Sequence, residues 1–115
     1  MIPADVEIFV ALEPINMQVG FDRLAGLVEE RLHRDPRASA LYIFFNRRKT
    51  LVKVLFADGS GLCVFYKRLD RGRFQIPAPR DDSGVIELSE EALNELLDGV
   101  EVPPSGARRP TPPLH

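Results

Sequence analysis

Three short runs of strand-forming residues, joined by very short links, constrain the fold of this chain more than any other feature. They extend from Leu41 to Phe45, from Leu51 to Ala57 and from Leu62 to Arg68, and they are rich in aliphatic and aromatic residues. The link Asp58–Gly61 is typical of a β-hairpin, because its glycines adopt positive φ without a Cβ clash. The link Asn46–Thr50 is almost as short, and links of this length favour antiparallel neighbours over crossovers.

Further elements flank these three strands. A strand is expected from Val6 to Leu12, before Pro14, and a short strand from Val85 to Glu87. Apolar residues at helical spacing predict an amphipathic helix that begins at Phe21 and ends at Asp35-Pro36.

A second amphipathic helix is expected after Ser89, which is a good N-cap, with Gly99 as its C-cap. Together the elements predict an α+β fold, in which an antiparallel β-meander of about four to five strands carries two amphipathic helices packed on one face. Residues 1–102 are expected to form this single domain. Residues 103–115 contain five prolines and little that could be buried, so they are expected to form a disordered tail.

The sequence predicts a cytoplasmic protein with no membrane partner. It has no apolar run of roughly 18 residues, which a membrane span would need. The N-terminus lacks the basic start and long apolar stretch of a signal peptide. The single cysteine, Cys63, excludes an internal disulfide and fits a reducing compartment.

Charge is distributed unevenly along the chain. Residues 47–80 carry nine basic and two acidic side chains, although the net charge of the whole chain is −2. Such separation is typical of a protein that meets a polyanion or a charged partner. In an up-down-up meander, the turn after the first of the three strands and the end of the third lie at the same end of the sheet, so seven cations would share one basic rim. The basic rim, our predicted nucleic-acid-binding site, consists of Arg47, Arg48, Lys49, Lys67, Arg68, Arg71 and Arg73.

The basic rim also has two structural explanations. Exposed turns commonly carry Lys and Arg for solubility alone, and several arginines could instead pair with Glu90, Glu91 and Glu95 of the second helix. If the target were single-stranded, Tyr66 and Phe74 would be candidates for base stacking.

The sequence contains no recognisable catalytic or metal-binding constellation. It has no glycine-rich phosphate loop, no paired cysteines, and no Ser/His/Asp or Cys/His grouping. A two-metal nuclease would need several convergent carboxylates. The candidates outside the acidic helix, each with a turn or surface explanation, are Asp22, Asp35, Asp58 and Asp70. His33 is expected on the surface and Cys63 in the core, and we predict a protein that is not an enzyme and needs no cofactor or metal.

Several segments along the chain carry a family resemblance. They are Gly20–Val28, Asp35-Pro36, Leu41–Arg48, Lys53–Leu55, Asp58–Leu62, Phe65–Phe74 and Leu88–Gly99. Together they resemble the Orf2 (TnpB) accessory protein of the insertion sequence 66 family, and Phe65–Phe74, placed soon after an Asp-Gly-x-Gly turn, is fairly specific. The resemblance implies a small protein encoded beside a transposase and required for transposition, whereas the acidic catalytic triad belongs to the separate transposase.

The chain departs from the family pattern before its first helix. Where the family usually has an Asp-Met-Arg-Lys type motif, this chain has Asn16-Met17-Gln18-Val19. Two positive charges and one negative charge are lost there. The family also tends to carry tryptophans at positions that are Ala57 and Ile76 here. If the N-terminal motif contributes to binding, this copy would be weakened, specialised or an inactive remnant.

Two functional hypotheses follow. In the first, the protein is a non-catalytic accessory factor for transposition that binds duplex DNA through the basic rim, or bridges DNA and transposase. In the second, it is an adaptor whose basic rim docks on an acidic surface of the transposase of the same element, without direct DNA contact. The sequence leaves the oligomeric state open.

Overall fold

The computed structural model describes residues 6–99, which form one five-stranded sheet and two helical segments. The strands are β1 (Glu7–Ala11), β2 (Ala40–Phe45), β3 (Leu51–Ala57), β4 (Leu62–Arg68) and β5 (Val85–Leu88). The helices are α1 (Phe21–Leu27), which continues as a π-helical turn (Val28–Leu32), and α2 (Glu90–Asp98). The predicted tail at 103–115 lies outside the described residues.

The order of strands across the sheet is β4-β3-β2-β1-β5. Strands β2, β3 and β4 are antiparallel neighbours, with Ile43 opposite Val54 and Val54 opposite Phe65. The three-stranded meander is therefore confirmed. However, β1 pairs with β2 in parallel, so the prediction of a purely antiparallel sheet is wrong. The 28 residues between β1 and β2 include α1 and are long enough for the crossover that a parallel pair requires.

The two helices cover opposite faces of the sheet. Alternate residues of β2 divide between two apolar clusters, because side chains on a strand alternate in direction. Leu41 and Ile43 pack in the cluster that contains Leu93 and Leu96 of α2. Tyr42 and Phe44 pack in the cluster that contains Leu24 and Leu27 of α1.

The prediction that both helices pack on one face is therefore wrong. Every residue of β2 is buried, and a strand whose side chains are apolar on both faces needs a covering layer on each side.

The helix ends follow the sequence signals. The Ser89 hydroxyl accepts a hydrogen bond from Ala92 N at 3.1 Å, and Gly99 ends α2 with a φ of 75°, so both predicted caps are confirmed. The first helical segment begins at Phe21, as predicted, but it ends at Leu32, before the predicted stop at Asp35-Pro36, because His33 adopts a left-handed conformation. Within residues 6–99 no helix is both long enough and apolar enough to cross a membrane.

Candidate nucleic-acid interface

The turn between β2 and β3 is organised by the side chain of Asn46. Its Oδ1 accepts hydrogen bonds from Thr50 N and Leu51 N, each at 2.9 Å, and its Nδ2 donates to Thr50 Oγ1 at 3.0 Å. Lys49 N donates to the Asn46 carbonyl at 3.1 Å. Lys49 has a φ of 61°, a left-handed conformation that is uncommon for a residue with a Cβ. The Asn46 bonds thus hold a strained turn that presents Arg47 and Arg48 at its apex.

The segment after β4 lies against this turn. Leu69 N donates to the Thr50 carbonyl at 3.0 Å, and Phe74 N donates to the Lys49 carbonyl at 2.8 Å. The Phe74 ring is buried against Phe45, with ring centroids 5.3 Å apart. These contacts bring two basic segments, Arg47–Lys49 and Lys67–Arg73, together at one end of the sheet, which confirms the proximity predicted from the meander.

The five arginines of the basic rim are all exposed, and Lys49 is half-buried. Within residues 6–99 the ion pairs are Arg23–Glu30 and Arg31–Glu13, so none of the rim arginines has a carboxylate partner there. Pairing with the acidic helix is not observed in this part of the chain. Helix α2 begins after Leu88, which lies opposite Ile8 at the start of β1, and Glu90 and Glu91 in its first turn are therefore near the other end of the sheet.

Lys67 differs from the other members of the basic rim. Its Nζ donates to the Leu97 carbonyl at 2.7 Å, in the last turn of α2. A cation at this position satisfies a free carbonyl and meets the negative end of the helix dipole. The hydrogen bond of the Lys67 ammonium therefore links the C-terminal turn of α2 to β4.

Lys53 is a structural residue whose role the sequence alone did not reveal. It is only 9% exposed, and its Nζ donates to the carbonyls of Met17 at 2.7 Å and Val19 at 2.8 Å. The same ammonium lies 4.7 Å from the Tyr66 ring centroid. Lys53 thus anchors the segment Asn16–Val19 to the sheet. This is the segment that departs from the family motif. The sequence signal for this role is a single lysine at the centre of an otherwise apolar strand.

The two aromatic residues considered for base stacking have different environments. Tyr66 is 53% exposed, whereas Phe74 is 2% exposed and belongs to the core. The suggestion that Phe74 stacks on bases is therefore wrong, since its ring is needed to pack the second basic segment against Phe45.

The candidate catalytic groups do not converge. Asp58 and Asp70 lie at opposite ends of the seven-residue strand β4, which spans about 24 Å. Within residues 6–99, no group of three His, Cys, Asp or Glu side chains could share a metal ion. His33 is exposed, as expected.

Asp58 instead stabilises the β3–β4 hairpin turn. Its carboxylate accepts hydrogen bonds from Ser60 N and Gly61 N, both at 2.9 Å, and these bonds lower the pKa of Asp58. The Cys63 thiol lies 3.5 Å from the same carboxylate. Desolvation, followed by the hydrogen bond and charge of Asp58, raises the pKa of Cys63. Cys63 is half-buried rather than in the core, contrary to expectation.

The sequence is similar to a known family and to two curated proteins. The family model described as IS66 Orf2 like protein matches residues 6–106. The uncharacterized protein y4hO of Sinorhizobium fredii is 39% identical over 103 residues, which cover 88% of each chain. The uncharacterized protein y4jC of the same organism is 29% identical over 109 residues, which cover 92% of each chain. No solved structure shows significant similarity to the chain.

Proposed function

The chain belongs to the IS66 Orf2-like family, and we propose that it is a non-catalytic accessory protein for DNA transposition that binds duplex DNA through its basic rim. Family membership supports a transposition-related accessory role beside the transposase of an element of this type. DNA binding through the rim is the finer part of the proposal, and it depends on the geometry of the two basic segments.

One observation carries this proposal. The backbone bonds from Phe74 to Lys49 and from Leu69 to Thr50 join the two basic segments, so exposed arginines from both lie at the same end of the sheet. Guanidinium groups bind phosphate oxygens in a bidentate geometry. Contacts of this kind position a protein on the duplex without reading its sequence.

Duplex DNA fits the site better than a single strand. Single-strand binding combines cations with aromatic platforms on which successive bases stack. Here Phe74 is buried, and the ammonium of Lys53 lies close to the ring of Tyr66. The interface therefore offers mainly phosphate contacts, which suit the regular backbone of a duplex.

The test measures DNA affinity by fluorescence anisotropy across a salt series. Two double variants each remove two cations from one basic segment: Arg47→Gln with Arg48→Gln, and Arg71→Gln with Arg73→Gln. If both residues of a pair contact phosphates, the slope of log K against log salt becomes shallower by about 1.8 for each double variant, because each contact contributes about 0.9.

The matched control is Arg23→Gln with Arg37→Gln, which removes the same charge from exposed positions outside the rim. It should retain a slope close to that of the unmodified protein. Circular dichroism should show the same fold in all variants. Equal affinity and slope for the rim and control variants would show that the rim does not contact DNA.

A second candidate function is an adaptor that docks on the transposase without touching DNA. The observation that favours it is an apolar groove of about 300 Å³ between α2 and β4, lined by Leu41, Val54, Phe56, Val64, Phe65, Leu93 and Leu97. Exposed apolar surfaces of this kind often contact other proteins. Copurification with the transposase that survives nuclease treatment, together with no DNA binding by the isolated protein, would favour this function.

A further inference from the structure

Among residues 6–99, the outer edge of β4 presents a regular row of unpaired backbone groups. In this part of the chain β4 is the first strand in the sheet order and has a neighbour on one side only. Leu69 N donates to the β3 side of the sheet, and Gly61 accepts from Asp58 N across the hairpin. Because these directions alternate along an antiparallel strand, the even-numbered residues direct their N–H and C=O groups away from the sheet. They are Leu62, Val64, Tyr66 and Arg68.

The side chains of this edge are unusually apolar. Phe65 and Tyr66 are 44% and 53% exposed, and they project from opposite faces of β4. From Leu62 to Tyr66 the strand contains no charged residue and no proline. Charges, prolines and bulges are the usual features that prevent an edge strand from pairing with another chain, so the centre of β4 lacks this protection.

We propose that β4 pairs antiparallel with β4 of a second copy of this chain, about a two-fold axis that passes through Phe65. The two five-stranded sheets then form one continuous ten-stranded sheet. Such an interface is isologous, because each copy contributes the same surface. The proposal concerns the assembly state and does not depend on DNA binding by the basic rim.

The alternation of backbone groups selects this register. With Phe65 opposite Phe65 of the second copy, Val64 lies opposite Tyr66, and Leu62 lies opposite Arg68. All four outward-facing residues then exchange both backbone hydrogen bonds with a residue of the second copy, as hydrogen-bonded antiparallel pairs do. An axis through Val64 or Tyr66 would leave one end of the row unpaired.

Charge complementarity favours a second copy over an unrelated strand. In this register Lys67 lies opposite Cys63 of the second copy, whose thiol is 3.5 Å from the Asp58 carboxylate. The Lys67 ammonium keeps its bond to the Leu97 carbonyl, and its positive charge lies on the same face of the joined sheet as the Asp58 carboxylate of the second copy, at both ends of the interface. The two basic rims lie at opposite ends of the joined sheet, so their like charges are kept apart. The other edge strand, β5, has only four residues and carries Glu87.

The first test measures the mass of the full-length protein in solution by sedimentation equilibrium. We expect twice the 12.9 kDa of one chain, with reversible dissociation on dilution. Phe65→Lys places two ammonium groups together on the axis and should raise the dimer dissociation constant at least tenfold. The matched control is Phe21→Lys, since Phe21 is similarly exposed, at 51%, but lies on α1; its dimer should persist.

Val64→Pro gives an independent probe of the backbone. It removes an outward N–H and leaves the β3 ladder intact, because proline is compatible with a strand edge that faces solvent. We expect this variant to be a folded monomer by circular dichroism and sedimentation. A folded Val64→Pro variant that dimerises as tightly as the unmodified protein would overturn the proposal.

The second test checks the register by disulfide cross-linking in a Cys63→Ser background. Residues opposite one another in a non-hydrogen-bonded pair have Cβ atoms about 4.5–5.5 Å apart, so Phe65→Cys should form a covalent dimer under mild oxidation. Tyr66→Cys, which faces Val64 of the second copy, and Phe21→Cys should form far less. An unmodified protein that stays monomeric, or that pairs only with the transposase, would overturn the proposal, and so would equal cross-linking at all three positions.

Discussion

Replacement of Lys53 by methionine should destabilise the protein far more than replacement of an ordinary surface lysine. The ammonium of Lys53 makes two hydrogen bonds to carbonyls, at 2.7 and 2.8 Å, and the residue is 9% exposed. Within residues 6–99 it has no carboxylate partner, so these bonds and the nearby Tyr66 ring are its compensation for burial. Methionine keeps most of the apolar stem but leaves both carbonyls without a donor.

The magnitude follows from the two bonds. A hydrogen bond to a charged group contributes about 1.5–3 kcal/mol, and because both bonds share one ammonium we expect a combined loss of about 2–3 kcal/mol rather than the sum. Water can replace the lysine at Val19, where the bond is only partly buried, more readily than at Met17. A loss of this size corresponds to a fall in Tm of roughly 10–20 °C for a domain of this length.

The assay is urea unfolding followed by far-ultraviolet circular dichroism. Lys67→Met is the matched comparison, since Lys67 lies opposite Val52 on the neighbouring strand and makes a single, partly buried hydrogen bond. It should cost about 1.5 kcal/mol, the low end of the range for a bond to a charged group, because water can reach this bond. If Lys53→Met lost less than about 0.5 kcal/mol, or no more than Lys67→Met, the two carbonyl bonds would not stabilise the fold as argued.

Three further predictions concern turns and a helix end. Asn46→Ala removes the acceptor of two backbone N–H groups at the basic rim and should lower the free energy of unfolding by about 1–2 kcal/mol; an unchanged urea midpoint would contradict this. Gly99→Ala should cost about 1–3 kcal/mol in the same assay, because φ is 75° and a Cβ would lie 2.7 Å from Leu69 Cδ1; a more stable variant would show that the strain is absent. Asp58 has a lowered pKa in the folded state, so its stabilising effect is present above about pH 4 and is lost as the pH falls through the folded pKa. The stability difference between the unmodified protein and Asp58→Ala should therefore shrink in acid, and a difference independent of pH would exclude the charge as its cause.

The basic rim shows which parts of the candidate site the sequence could predict. The sequence predicts that Arg47 and Arg48 lie near the second basic segment, because the short links Asn46–Thr50 and Asp58–Gly61 favour antiparallel strands and leave few other topologies. The different roles of the rim cations were not predicted. Lys67 reaches the end of α2 because that helix packs on the face of the sheet from which Lys67 projects. Phe74 is buried because the segment after β4 folds back onto the turn between β2 and β3. Both facts depend on contacts between elements that are far apart in sequence.

Residues that are close together in the chain are sufficient to specify the local elements of this protein. The bounds of β3 and β4, the hairpin between them and the caps at Ser89 and Gly99 all depend on residues close together in the chain, where turn geometry and hydrogen bonds act directly. Three features arise only when distant elements pack together: β1 pairs with β2 in parallel, the helices cover opposite faces, and Lys53 is buried beneath the segment before α1. Long connections allow several pairings, and the pairing adopted is the one that buries both apolar faces of β2.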